Sequence, residues 1–126
     1  MAKIITSEDC GNSPKNLFVQ NVSIALALSD APMVLNSVTE DVRWNIVGDK
    51  LVLGKDELAR TLANIDNDRV LELTILHVAT HGKAGAVNGV AKLKGGKIRS
   101  FCDVYEFSGV KGTSLKEINS YWIEIH

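Results

Sequence analysis

Two polar side chains stand out by the company they keep. Asp103 sits in Phe101-Cys102-Asp103-Val104-Tyr105 and Asn88 in Val87-Asn88-Gly89-Val90, each in an otherwise apolar run. A carboxyl group among Phe, Val and Tyr loses hydration, which raises its pKa unless a donor or a cation compensates. Such a group can give or take a proton near neutral pH, so Asp103 is the candidate acid or base. Gly95-Gly96 lies between the two runs and supplies two residues that tolerate positive φ, as a two-residue hairpin turn requires. With Lys94 and Lys97 flanking that turn, Asn88 faces Asp103 and Val90 faces Phe101. Alternation then gathers Ala86, Asn88, Phe101, Asp103 and Tyr105 on one face. The other face takes Val87, Cys102 and Val104, so both faces are apolar enough to be covered. The competing reading is structural: the Asn88 amide donates to Asp103 and only fixes register. A longer turn shifts the register and removes the pairing.

Other residues could assist. His77 and His81 are four apart in Leu73–His81, a segment with strand alternation. Four strand residues span about 13 Å, too far for both to hold one metal. His77 is therefore a second acid/base candidate, facing either a pocket or an interface between chains, with a structural histidine as the plain alternative. Trp44 is the largest apolar residue of its strand and lines a pocket or packs the core. Tyr105 and Tyr121 could donate into a pocket, and Trp122 alternates with Tyr121, so only one of those two faces inward. Cys102 points away from Asp103 and reads as a small core residue. No Gly-x-Ser-x-Gly, phosphate-binding loop or dinucleotide glycine pattern occurs, which points to chemistry without a cofactor, or to none.

The elements that position these residues follow from periodicity. Residues Met1–Asn12 read as a short tail. Ser13-Pro14 starts a helix as cap and first residue, and Leu17, Phe18, Val22, Ala25 and Leu26 give it a wide apolar stripe. Ser29-Asp30 closes it, and Asp30 caps a second helix containing Pro32. Asp41–Val47 alternates as a strand, Leu51–Leu53 is a short extended piece, and Gly54-Lys55-Asp56-Glu57 opens a third helix with acids in its first turn. A polar loop covers Asn64–Asp68. From Val70 the period becomes two: a long strand, the central hairpin, a loop over Ser108–Thr113 and a last strand over Ser114–Ile125. Three N-terminal helices interleaved with short strands, then four consecutive long strands, make an α+β fold with helices packed on a mainly antiparallel sheet.

Bulk properties narrow the class. A chain of 126 residues holds one domain, here 1–126, with a core of its own. A net charge of −1 gives no electrostatic footprint for nucleic acid. No apolar run reaches the roughly 18 residues of a membrane span or forms a signal peptide. Two cysteines, Cys10 and Cys102, without zinc spacing, fit a reducing, cytoplasmic setting.

The segments DVRWNIVG, GKDELARTL, FCDVYEF and LKEINSYWIEI together resemble the nuclear transport factor 2-like (NTF2-like) superfamily. The likeness is to its ketosteroid isomerase-like and SnoaL-like polyketide cyclase-like members, and it runs over Ser13–Ile125. It implies a cone: a curved sheet wrapped round the first helix, with an apolar pocket for a small apolar or polycyclic molecule. Homodimers through the outer sheet face are also implied. In the isomerases an acid kept protonated in an apolar site donates to a developing oxyanion, and Asp103 matches its position. Asn45 stands where those enzymes carry the aspartate base, so it is a ligand contact rather than a proton acceptor. Their first-helix tyrosine has no counterpart beside Leu17 and Phe18. An isomerase, cyclase or dehydratase using Asp103, with Asn88, Trp44, Asn45, Tyr105, Tyr121 and Phe101 around the ligand, is one expectation. A non-catalytic ligand-binding or dimeric interaction module is the other.

Overall fold

The computed structural model describes residues 2–8, 10–65, 70–110 and 112–125. Its elements are β1 Lys3–Thr6, α1 Pro14–Ala27, α2 Ala31–Leu35, β2 Val38–Ile46, β3 Lys50–Leu53, α3 Gly54–Asn64, β4 Val70–His81, β5 Ala84–Leu93, β6 Ile98–Phe107 and β7 Leu115–Ile125. Seven strands form one sheet in the order β1-β4-β5-β6-β7-β2-β3. The β4–β7 meander and the β2–β3 pair are antiparallel; β1 beside β4 and β2 beside β7 are parallel. No described helix is long and apolar enough to cross a membrane.

The helices start where their caps say. The Ser13 hydroxyl accepts from the Asn16 amide at 3.1 Å, with Pro14 following, so two of the orphan-donor problems of a helix start are resolved locally. α1 ends in a Schellman arrangement: the Asp30 amide donates to Ala25 O at 2.8 Å and the Ser29 amide to Leu26 O at 3.3 Å. Ser29 takes the left-handed conformation this needs (φ 55°). Asp30 then caps α2 through the Met33 amide. The buried side of α1 carries Val19, Val22, Ala25 and Leu26, and it lies in the concavity of the sheet against Leu73, Ile75, Val87 and Tyr105, all in one core.

Three expectations are corrected. Lys3–Thr6 is not tail but an edge strand paired with Glu72–Ile75, because its alternating backbone groups satisfy the open side of β4. The hairpin loop has three residues, not two. The Leu93 amide donates to Lys97 O at 2.8 Å and the Gly96 amide to Leu93 O at 3.1 Å, leaving Lys94, Gly95 and Gly96 outside the ladder. Gly95 and Gly96 do use positive φ, at 91° and 89°. Asn88 therefore pairs with Cys102, and Asp103 with Val87. A one-residue slip exchanges faces, so Asn88 and Asp103 point to opposite sides of the sheet. Finally, the outer face is not covered by any described element: Leu76, Val104, Tyr121 and Ile123 stand exposed on it. The expected loop over Asn64–Asp68 falls from residue 66 onward outside the described residues, as do Met1 and Asp9 of the expected tail and Lys111 of the Ser108–Thr113 loop.

β4 carries a bulge: Ile75 pairs with Gly89 but His77 with Asn88, leaving Leu76 without a partner residue. Before the bulge Leu73 and Ile75 are buried; after it, Leu76 and His77 are both exposed and Val78 turns inward. The same device recurs between Glu106 and Phe107, opposite Leu115 of β7. Gly89 permits the bulge at Leu76, which follows an earlier register shift between Val70 and Glu72. A Cβ at Gly89 would lie 2.0 Å from Thr74 O and 2.9 Å from the Phe101 ring, while one at Gly85 meets two side-chain methyls at 3.3 Å and Ala79 O at an ordinary 3.7 Å. Overpacking a core commonly costs about 1–3 kcal/mol. Gly89→Ala is expected at or above the top of that range in urea denaturation, roughly 3 kcal/mol, with Gly85→Ala losing under about 1 kcal/mol.

Candidate active site in the concave face

Asp103 is the centre of the inner face and is 0% exposed. Its Oδ1 accepts from the Ser120 hydroxyl at 2.6 Å, and Tyr105 on the same strand donates to Oδ2 at 3.5 Å. The Tyr105 and Ser23 hydroxyls are hydrogen-bonded to each other. Trp44 Nε1 donates to Ser120 Oγ at 3.0 Å. Four elements thus converge on one carboxyl group: α1 through Ser23, β2 through Trp44, β6 through Tyr105 and β7 through Ser120. The convergence follows from alternation. Ile118, Ser120 and Trp122 share the inner face of β7, and Phe101, Asp103 and Tyr105 that of β6. Phe101 and Trp122, paired across the strands, stack with centroids 4.7 Å apart.

Burial pushes the Asp103 carboxyl up from 3.8 to about 6, against the opposing hydrogen bonds of Ser120, Ser23, Trp122 and Tyr105. Burial, then the charge of Asp103, pushes Tyr105 well above the ordinary phenol range. Burial, and secondarily Asp103, raises the Cys102 thiol, which keeps it a poor nucleophile. An acid whose proton is shared between neutral hydroxyls can be ionised or neutral near physiological pH, which suits proton exchange.

Beside this group opens a cavity of about 400 Å³. Leu26, Trp44, Ile46, Val70, Leu93 and Trp122 make apolar walls; Asp49, Lys50 and Arg99 add charge, and the buried Ser120 closes the floor. Asp103 does not itself line this cavity; Ser120 stands between.

The residues expected to act divide between two faces. Asp103, Trp44, Tyr105 and Phe101 are on the inner side. Asn88, His77 and Tyr121 are on the outer side, around a separate hollow of about 360 Å³ that also touches Ala79, Ala86 and Cys102. There His77 Nδ1 and Asn88 Oδ1 are 3.0 Å apart, so Nδ1–H donates to the amide oxygen. The bulge at Leu76 put His77 outside, and the three-residue turn did the same for Asn88. Neither can touch Asp103, so the expected Asn88–Asp103 and His77–Asp103 pairs do not form. Asn45 pairs with Leu51 and Asn119 and points away from Trp44, outside the cavity. Ser120 and Ser23 were missed by the sequence reading. The available signal was a small hydroxyl on an apolar face, in Ile118-x-Ser120-x-Trp122 and between Val22 and Ala25.

No known family model and no curated protein matches the sequence. Solved structures do match in shape. An NTF2-like protein of unknown function from Cytophaga hutchinsonii superposes with a TM-score of 0.63 at 22% identity, over 85% of this chain and 97% of its own. A candidate ketosteroid isomerase from Kribbella flavida gives 0.71 at 15% identity, over 87% and 78%. An LEH-like epoxide hydrolase of M. tuberculosis gives 0.68 at 19%, over 85% and 80%. The chain has the NTF2-like fold. The curved, unclosed sheet around α1 is what these NTF2-like structures share with it, at identities where only the fold carries over.

The sign of the Asp103 shift gives a stability test. Below about pH 4 the carboxyl is protonated folded and unfolded. Between about 4 and 6 the unfolded chain loses the proton while the folded one keeps it, so stability falls as pH rises, then levels off. The full change is about 3 kcal/mol. Asp103→Asn, whose amide can accept from Ser120 and donate toward Tyr105, is expected to be the more stable protein at pH 8 and to lose this slope. Urea titrations of both at pH 4.5, 6 and 8 measure it; an unchanged slope in the variant would mean that another group titrates.

Proposed function

We propose that this NTF2-like domain binds a small, flat, apolar molecule in the concave cavity and exchanges a proton with it from Asp103. That is the chemistry of a cofactor-free isomerase, cyclase or dehydratase. The observation that carries the reading is a fully buried carboxyl group coupled, by one hydroxyl, to the floor of an apolar cavity. A carboxyl group in such a place costs stability when ionised, and natural cores seldom keep one without use. Trp44 and Trp122 offer faces and edges for a planar ligand. Among the structural neighbours, one is named for isomerisation and one for epoxide hydrolysis, so proteins named for different reactions share this fold. The alternative, a non-catalytic ligand-binding module, is favoured by Asn45, an amide outside the cavity where the isomerases have their base.

Both readings are separable with 2-acetonaphthone, a flat aromatic ketone. It should quench the tryptophan fluorescence of the wild type on binding. An enzyme of the proposed kind should also accelerate deuterium exchange into its methyl group, followed by NMR. Asp103→Asn should keep binding within a few-fold and lose exchange by about 10²-fold or more. Ala27 of α1 also lines the cavity, and Ala27→Phe, which fills it, should lose both. Binding without exchange in the wild type would leave the binding module standing; no binding would sink the cavity reading.

The outer face supports a second proposal, a homodimer. Leu76, Val104, Tyr121 and Ile123 form an exposed apolar area around the His77–Asn88 hollow, and such areas commonly pack against a partner. Light scattering at micromolar concentration is expected to give twice the 13.7 kDa chain mass. Ile123→Glu should return it to a single chain, and a monomeric wild type would refute the dimer.

A further inference from the structure

We propose that Ser120, not Asp103, is the group that meets the ligand, and that it turns from hydrogen-bond acceptor to donor when Asp103 takes up a proton. This rests on the concave cavity being the ligand site. Asp103 is fully buried and absent from the cavity walls, whereas Ser120 closes the floor. Whatever Asp103 does to a ligand must therefore pass through the Ser120 hydroxyl, 2.6 Å away.

A hydroxyl has one proton and two lone pairs, and an indole N–H only donates. Trp44 Nε1 occupies one lone pair of Ser120 Oγ at every pH. When Asp103 is ionised, the serine proton goes to Oδ1, and a single lone pair is left for the cavity. A ligand hydroxyl or N–H can donate to it; a ketone finds no donor. When Asp103 is protonated on Oδ1, that proton is donated to Ser120 Oγ. Both lone pairs are then taken, and the serine proton is free to turn into the cavity, where a carbonyl can accept it. The competing position for the proton is Oδ2, donating to Tyr105, but that contact is 3.5 Å against 2.6 Å for Ser120, so Oδ1 is favoured. In a proton transfer the same chain acts as a relay: the Asp103 O–H breaks as a Ser120 O–H forms, and the former Ser120 proton bonds to the ligand oxygen.

The groups around the pair are accounted for. Against the pair lie Ser23 from α1, Trp44 from β2, Val87 from β5, Tyr105 from β6 and Trp122 from β7, whose indole N–H only donates; Tyr105, titrating far above neutrality, is the ionisable one of these. Cys102 adjoins Asp103 on the outer side, with its thiol raised. Asp49, Lys50 and Arg99 share the cavity, and all three persist in the variants below.

Two flat naphthalene probes test the switch: 2-acetonaphthone, which only accepts, and 2-naphthol, whose phenolic O–H is a good donor and whose oxygen is a weak acceptor. Their dissociation constants are read by tryptophan quenching between pH 4.5 and 8. The ketone is expected to bind about five-fold more tightly at pH 4.5 than at pH 8, the difference of one net hydrogen bond, and the naphthol to shift the other way. Ser120→Ala should bind both probes with no pH dependence, and Ser120→Thr, which restores the hydroxyl, should recover it. Asp103→Asn should flatten both profiles although Asp49 remains. Binding that is pH-independent in the wild type, or a pH dependence that survives Ser120→Ala, would overturn the relay while leaving the cavity reading intact. Failure of both probes to bind the wild type, with no difference from Ala27→Phe, would remove the cavity reading and the relay together.

Discussion

A carboxyl group with no exposure to water and no described cation against it is the constraint that organises the inner face. Moving such a group out of water is costly unless every lone pair finds a donor or the charge is given up. Here the donors are all neutral hydroxyls or indoles: Ser120 directly, Tyr105 more distantly, Ser23 and Trp122 beside them, and Trp44 behind Ser120. Neutral donors moderate the cost without removing it, which leaves the acid poised near 6 rather than locked in either state. A cation in the same place would have held it ionised, and a purely apolar shell would have held it neutral.

The network also ties the architecture together. Ser23 is in the first helix, Trp44 in the second strand and Ser120 in the last, so the hydrogen bonds cross the layer between helix and sheet at its centre. Buried polar networks of this kind demand definite geometry, because one misplaced member leaves another unpaired. Gly89 serves the same region from the backbone. It lets Thr74 O and the Phe101 ring approach where any side chain would intrude, and the resulting bulge bends β4 around α1.

The two faces of the sheet have different chemistry. Inside, aromatic and aliphatic side chains surround one buried carboxyl group. Outside, the histidine, the asparagine and a tyrosine that looked like partners of the acid surround a shallow hollow of their own, bordered by exposed apolar side chains. A backbone sheet separates the two sets, so a proton on His77 has no path to Asp103 through side chains. Roles for the outer residues belong with whatever packs against that face.

The order of elements from α1 onward, the helix caps and the suspicion attached to Asp103 could all be read from the chain, because each depends on neighbours within a few residues; β1, whose strand state depends on the edge of β4, could not. Ser13-Pro14 and Asp30 cap helices wherever the rest of the protein goes, and apolar periodicity fixes which side of α1 is buried. The resemblance to NTF2-like proteins was legible for the same reason, through runs such as FCDVYEF. What the sequence could not decide was parity. One extra loop residue at Lys94 and one bulge residue at Leu76 each reverse the facing of everything beyond them, and both were chosen by closure of the ladder and by curvature around α1, which are long-range properties. Tertiary structure therefore removed Asn88 and His77 from the acid and brought Ser120, Ser23 and Trp44 to it, residues 17, 80 and 59 positions away along the chain.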